Sequence, residues 1–277
     1  MDFVKPGDMV NAMADSGATR SRLSVQDLLI RGMVAGGLLG IATSLAVTGA
    51  VQTGVAFAGS IVFPVGFVMI VCLGLELSTG NFAILGVSSL AGRNGWGATW
   101  RNWGWSFFGN LVGSLIFALL LAVALTNAWS TPPAGVAQRI VEIAQAKTTG
   151  YAAFGAAGLV TVFVKAMLCN WMVCMGVTMS MMSTSTFGKI FGAWLPIFIF
   201  FGQGFEHAVV NMFVIPAGML MGAKVTVGDW WLWNQIPVTL GNLVGGLVFV
   251  ALPWFATFRP TAAPRPAPRE MAASPAE

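Results

Sequence analysis

Long apolar runs separated by short polar stretches dominate this chain, and they exceed the length of a strand or of a helix in a water-soluble core. Six of them lie near residues 28–55, 59–91, 102–128, 154–182, 190–222 and 235–258, each long enough to cross a bilayer with tilt or a break. The pattern predicts an all-α membrane protein whose six transmembrane helices occupy residues 27–258, after a polar segment at 1–26. That segment holds no apolar stretch followed by a small-residue cleavage site, so the first span is expected to be retained. The closing stretch at 259–277, RPTAAPRPAPREMAASPAE, is rich in Pro and Ala without apolar periodicity and reads as a disordered cytoplasmic tail.

The second and fifth passages differ from the rest. FPVGFVMIVCLGLELSTGNFAIL and LPIFIFFGQGFEHAVVNMFVIP are each longer than one crossing needs, and each carries a carboxylate at mid-depth. Both are expected to be broken helices, and a break at that depth must be buried in protein or line a cavity. Pro64 and Pro196 are 132 apart, while Glu76 and Glu206, like Asn81 and Asn211, are 130 apart. The pentapeptide GNLVG occurs at 109–113 and again at 241–245, an offset of 132. Four features in one order at nearly one spacing indicate a duplication of three spans, about 27–128 and 154–258. Three being odd, the second copy enters from the opposite side, so the repeat is inverted and the two breaks meet near the midplane, where a pore is expected.

Charge sets orientation. Only 9% of residues are charged against 56% hydrophobic, and the mean hydropathy is +0.79. With the N-terminus inside, Lys5, Arg20, Arg22, Arg31, Arg93, Arg101, Lys189, Arg259, Arg265 and Arg269 fall on the cytoplasmic side. Arg139, Lys147 and Lys224 fall outside, so ten cations against three put both termini in the cytoplasm of a multi-pass inner-membrane protein. The net charge of +4 is therefore a mark of loop orientation, not of a nucleic-acid partner. Cys72, Cys169 and Cys174 lie in apolar sequence and read as small hydrophobes, with no disulfide or metal expected. No nucleophile constellation or cofactor loop is present, which argues against an enzyme.

The polar residues at the breaks are the candidate site. A bare carboxylate at such depth costs on the order of several kcal/mol, so Glu76 and Glu206 are expected to be protonated or held by donors that fix their loops. His207 is the only histidine, and the first copy has Leu77 in its place, so the repeat alone does not require it. A neutral imidazole could donate one hydrogen bond to a passing anion, and a protonated one could offset its charge or hand it a proton. Thr79 is the best-placed hydroxyl to face it if the breaks meet, although it could instead bond its own loop. Leu77, Phe63, Phe200 and Val173 are candidates for apolar constrictions or for plain packing. Lys165 could snorkel, face a vestibule or contact a neighbouring subunit. Asn170, Asn110 and Asn242 are expected to satisfy backbone groups between helices.

FEHAVVNMFVIPAG, LCNWMVC, LELSTGNFAIL and PVTLGNLVGG together resemble the formate/nitrite transporter family, over nearly all of residues 25–258. The resemblance implies a homopentamer in which each protomer has its own pore in an aquaporin-like six-span fold, passing small monovalent anions such as formate, nitrite, hydrosulfide or lactate. By position, His207 matches the family's central pore histidine and Thr79 the threonine that interacts with it. Leu77 and Phe200 match the cytoplasmic-side constriction, Phe63 and Val173 the outer one, and Asn170 and Asn242 polar positions near the pore. The implied mechanism is weak-acid permeation, with the anion losing water at an apolar slit and gaining a proton, or a proton-like hydrogen bond, near the histidine.

Two departures stand out. Ser78 replaces the Phe that many members have before the loop threonine, which should widen or wet the outer constriction. No lysine aligns with the one some members place at the start of the fourth span, so Lys165 and Lys147 are both candidates for its electrostatic role. Formate is the expected substrate because ELSTGN resembles formate-associated members, with nitrite as the alternative; protons, the lipid bilayer and sister subunits are the other expected partners. A neutral-solute channel is the rival within transport, against which stand the lack of paired Asn-Pro-Ala boxes and a single histidine. A non-conducting membrane scaffold would show the same fold without flux.

Overall fold

The computed structural model describes residues 2–260; of the tail expected at 259–277, residues 261–277, with Arg265 and Arg269, lie outside the described residues. Among the described residues the chain is helical, with one isolated antiparallel bridge between Phe3 and Ser183. Helix α1 (Pro6–Ser21) starts on a proline, whose missing N–H costs nothing in a first turn. Ser24 then caps α2 (Val25–Thr53), its hydroxyl accepting the Asp27 N–H at 3.0 Å. After α3 (Ala56–Val62) and α4 (Pro64–Cys72) the helix stops, and it resumes as α5 (Ser78–Leu90). The long α6 (Trp96–Leu125) closes the first half.

The second half repeats this order. Amphipathic α7 (Val136–Ala146) and the single turn α8 (Thr149–Ala152) lead to the long α9 (Gly155–Met181). Then come α10 (Thr186–Gly202), an interruption, and α11 (Ala208–Leu220). The last helical run comprises α12 (Val227–Trp230), α13 (Ile236–Gly246) and α14 (Leu252–Phe258), joined by π-helical turns at Trp231–Gln235 and Leu247–Ala251. Four stretches are long and apolar enough to cross a membrane: Val25–Thr53, Trp96–Leu125, Gly155–Met181 and Val227–Phe258. Ala56–Cys72, Thr186–Gly202 and Ala208–Leu220 are apolar but shorter.

The halves interlock. Helix α2 packs along α6, and α9 along α13. Short helix α5 reaches across to α9 and α13, while α11 reaches across to α2 and α6. The repeated GNLVG explains how the long helices come so close: a Cβ at Gly113 would run into the Met33 carbonyl, and one at Gly245 into that of Met167. Helices α1 and α7 occupy matching places, α1 against α5 and α7 against α11. The polar 1–26 segment thus contributes Met9, Val10 and Met13 to the main core.

Candidate functional site

Each interruption is built by the same backbone chemistry. Helix α4 ends with Gly74 at φ 64°, the Leu75 N–H returning to the Ile70 carbonyl at 3.0 Å and the Gly74 N–H to that of Val71 at 3.3 Å. Helix α10 ends likewise, with Gly204 at φ 65°, Phe205 N–H on the Phe200 carbonyl at 3.2 Å and Gly204 N–H on that of Phe201 at 3.0 Å. Both are Schellman closures, for which a left-handed glycine is the least strained choice. The chain then extends through Leu77 and His207, and helices α5 and α11 begin, their positive ends turned to the centre.

The orphan groups at these restarts go to asparagines. Asn110 accepts the Ser78 N–H at 2.9 Å and donates to the carbonyls of Glu76, at 2.8 Å, and Gly32, at 2.9 Å. Asn242 accepts the Ala208 N–H at 2.8 Å and donates to the carbonyls of Glu206, at 2.9 Å, and Ala166, at 2.8 Å. Asn170 crosses between halves, donating to the Thr79 carbonyl at 3.1 Å and to that of Asn242 at 2.6 Å. These contacts match the backbone-satisfying place expected of all three.

Both carboxylates are buried and ionically paired. Glu76 takes the Arg20 guanidinium from α1, and Asn81 donates to its other oxygen at 2.7 Å. Glu206 takes the Lys147 ammonium at 2.7 Å, from the end of α7, and Asn211 donates to it at 2.8 Å. A further asparagine closes each cluster: Asn102 accepts from Asn81 at 2.9 Å and donates to the Arg20 carbonyl at 3.1 Å, whereas Asn234 accepts from Asn211 at 2.8 Å and donates to the Lys147 carbonyl at 2.9 Å. Sequence reading did not bring Arg20, Asn102 or Asn234 into the site. Asn102 and Asn234 had a legible signal, because each stands seven residues before a GNLVG. Of the two candidate lysines it is Lys147 that reaches Glu206; Lys165 lies with its ammonium 5.7 Å from the Tyr151 ring centroid.

At the centre, Thr79 Oγ1 and His207 Nε2 are 3.0 Å apart. The His207 Nδ1 accepts the Val210 N–H at 3.2 Å, capping α11. That bond needs a lone pair on Nδ1, so the neutral ring carries its proton on Nε2 and donates it to Thr79. Phe200 stacks on the imidazole, ring centroids 5.8 Å apart, and meets Phe63 edge-on at 5.8 Å. Ser78 is buried beside Thr79, and its hydroxyl, like the carboxamide oxygens of Asn170 and Asn211, finds no partner among the described residues.

A cavity opens on either side of this pair. One, about 220 Å³, is lined by Arg20, Lys189, Leu77 and Asn81. The other, about 470 Å³, runs from Arg139 and Lys147 to Phe200 and His207. The side chains are grouped differently from the expected constrictions. Phe200 lines the second cavity and packs with Phe63, because α10 runs beside α3 and α4, whereas Leu77 lines the first. Val173, buried on α9, lines neither. Near the second cavity the hydrogen bond from Arg139, at 2.9 Å, holds exposed Glu142 below the usual carboxylate range. Arranged this way, the centre can offer an anion the positive ends of two helices, a hydroxyl and an imidazole N–H between two cation-bearing vestibules.

The formate/nitrite transporter family model matches residues 7–256. A probable formate transporter of Methanothermobacter thermautotrophicus is 37% identical over 272 residues, covering 92% of this chain and 97% of the relative. The formate channel FocA of Escherichia coli K12 is 29% identical over 285 residues, covering 93% and 95%. Among solved structures, an FNT family ion channel superposes with a TM-score of 0.79 at 28% identity, covering 90% of this chain and 99% of that one. A pentameric formate channel with formate bound gives 0.68 at 27% identity, covering 85% and 98%.

Proposed function

Because this chain belongs to the formate/nitrite transporter family, and is a membrane transporter and not an enzyme, we propose that it passes a small monovalent anion, formate before nitrite, through a pore between its two helix interruptions. In this reading residues 27–258 make six passages of the inner membrane with both termini in the cytoplasm. The halves 27–128 and 154–258 are inverted copies. The second passage is α3, α4 and α5, the fifth is α10 and α11, and each is a broken membrane helix. Five chains assemble, each with its own pore, a reading supported by the pentameric formate channel that the chain resembles. Formate leads because the relatives compared bear its name.

The observation that carries the reading is the Thr79–His207 contact of 3.0 Å between two cation-lined cavities. An anion is drawn into a vestibule by Lys147 and Arg139 on one side, or by Arg20 and Lys189 on the other. It loses water against Phe200 and Phe63, or against Leu77. At the centre it meets the Nε2–H of His207 and the Thr79 hydroxyl, whose hydrogen bonds replace the lost water; a proton taken up there makes the passing species the neutral acid. Asn170 and Asn242 keep the Thr79 loop and the α11 start in register, and Asn211 and Glu206 hold the histidine's own loop.

Proteoliposomes loaded with a pH dye and given an inward formate gradient test this. The expected result is rapid acidification of the lumen with formate and weaker acidification with nitrite. Current without acidification would replace the proton-linked mechanism by bare anion conduction, and absence of any flux with either anion would remove the substrate assignment.

A further inference from the structure

The two carboxylate clusters have matching asparagines but different cations, and one carries an extra group. Arg20 is a guanidinium that also reaches the Leu75 carbonyl and the Asn81 carboxamide oxygen, each at 3.3 Å, so it fills its cluster. Lys147 is a single ammonium and leaves the corresponding oxygen of Asn211 unpartnered. The free oxygen of Glu206 is taken instead by the Tyr151 hydroxyl, which donates to Oε1 at 2.8 Å while Lys147 holds Oε2 at 2.7 Å. Nothing equivalent to Tyr151 touches Glu76 among the described residues.

Resting on the transport reading above, we infer that Tyr151 is a positioning residue: its hydroxyl fixes the carboxylate of Glu206, the residue before His207, and so sets the pH dependence of acid passage. The groups that face this carboxylate are few. Lys147 comes from the end of α7, Tyr151 from α8, and Lys165 and Cys169 from α9, with His207 next in the chain. Lys165 does not bond the carboxylate but lies against the Tyr151 ring, and its carbonyl accepts the Glu206 N–H at 3.4 Å. The tyrosine therefore joins α8, α9 and the second interruption through one side chain. Removing its hydroxyl leaves Glu206 Oε1 without that donor and the carboxylate held by Lys147, Asn211 and Asn234 at its other oxygen alone.

Tyr151 is the only tyrosine in the sequence, so biosynthetic 3-fluorotyrosine labels this site alone. Initial rates of formate-driven acidification across pH 5 to 9, in pentamers reconstituted from wild type and Tyr151→Phe, should give profiles whose midpoints differ by about one unit. Superimposable profiles would overturn the inference. Should Tyr151→Phe fail to assemble, the fluorine resonance of labelled, otherwise wild-type protein decides: it is expected to shift in Glu206→Gln, and an unchanged resonance would overturn the contact. If wild type moves no acid with formate, the proton-linked reading falls, while the fluorine comparison still reports on whether Tyr151 holds Glu206.

Discussion

The two helix interruptions are near copies in their scaffolding and unlike in their chemistry. Both end on a left-handed glycine, both give their first helical N–H to the asparagine of a GNLVG, and both tie a buried glutamate to a cation from a lead-in helix. At the residue before the restart, however, one has Leu77 and the other His207. One cluster is locked by a guanidinium and the other shared between a lysine and a tyrosine. The comparison separates what the fold demands from what transport adds. Features present twice tie the interruptions into the scaffold, and features present once are those to which the proposed function assigns selectivity and proton handling.

The strongest way to break that separation is to remove the cations. Arg20→Ala and Lys147→Ala each strand a buried carboxylate, and each is expected to cost about 3–5 kcal/mol, read as a fall in the unfolding midpoint of the detergent-solubilised protein. If either change proved nearly neutral, that pair would not be structural. Next come Asn110→Ala and Asn242→Ala, which orphan the N–H of Ser78 and of Ala208 respectively. Losses of about 1–3 kcal/mol are expected for each, and of similar size, because the partners correspond atom for atom. Unequal losses would mean that one asparagine has a duty outside the shared scaffold.

The smallest effect is expected at the vestibule mouths. Arg139→Gln should slow formate uptake by no more than about twofold at physiological salt, and by more at low salt, because an exposed charge is screened over roughly 8 Å. Glu142 competes for that cation. Its carboxyl is lowered by the Arg139 hydrogen bond, so the small stability the pair adds is present above the ordinary carboxylate range and is lost as pH falls through the lowered value. Only acid below the ordinary carboxylate range should therefore release Arg139 towards the cavity; there, and not in mild acid, the salt dependence of uptake should steepen in wild type but not in Arg139→Gln.

Much of this was legible in the sequence because it is encoded at fixed spacing. Apolar run length marked the helices, and the offsets of 130 and 132 tied Glu76 to Glu206 and one GNLVG to the other. The same offset would have joined Asn102 to Asn234. What spacing could not carry was partnership made by packing across the chain. Arg20 and Lys147 look like loop cations, and only the seating of α1 against α5 and of α7 against α11 brings them to the carboxylates. Tyr151 was invisible for the same reason: a one-turn helix carries no periodicity to say which way its hydroxyl points. The neighbours of Phe200 followed from how α10 lies beside α3 and α4, a geometry that residue order does not contain.

The most direct test of the separation is His207→Leu, which installs at the second interruption the residue that the first already carries there. Helix α5 starts from Leu77 without a side-chain cap, so the change asks of α11 only what its counterpart already does. Formate-driven acidification should fall by about tenfold or more, the scale on which one well-placed proton donor or acceptor contributes, while assembly and the unfolding midpoint stay near those of wild type. Undiminished acidification in a folded His207→Leu pentamer would contradict the account, because the central feature that the duplication does not explain would then have no part in transport.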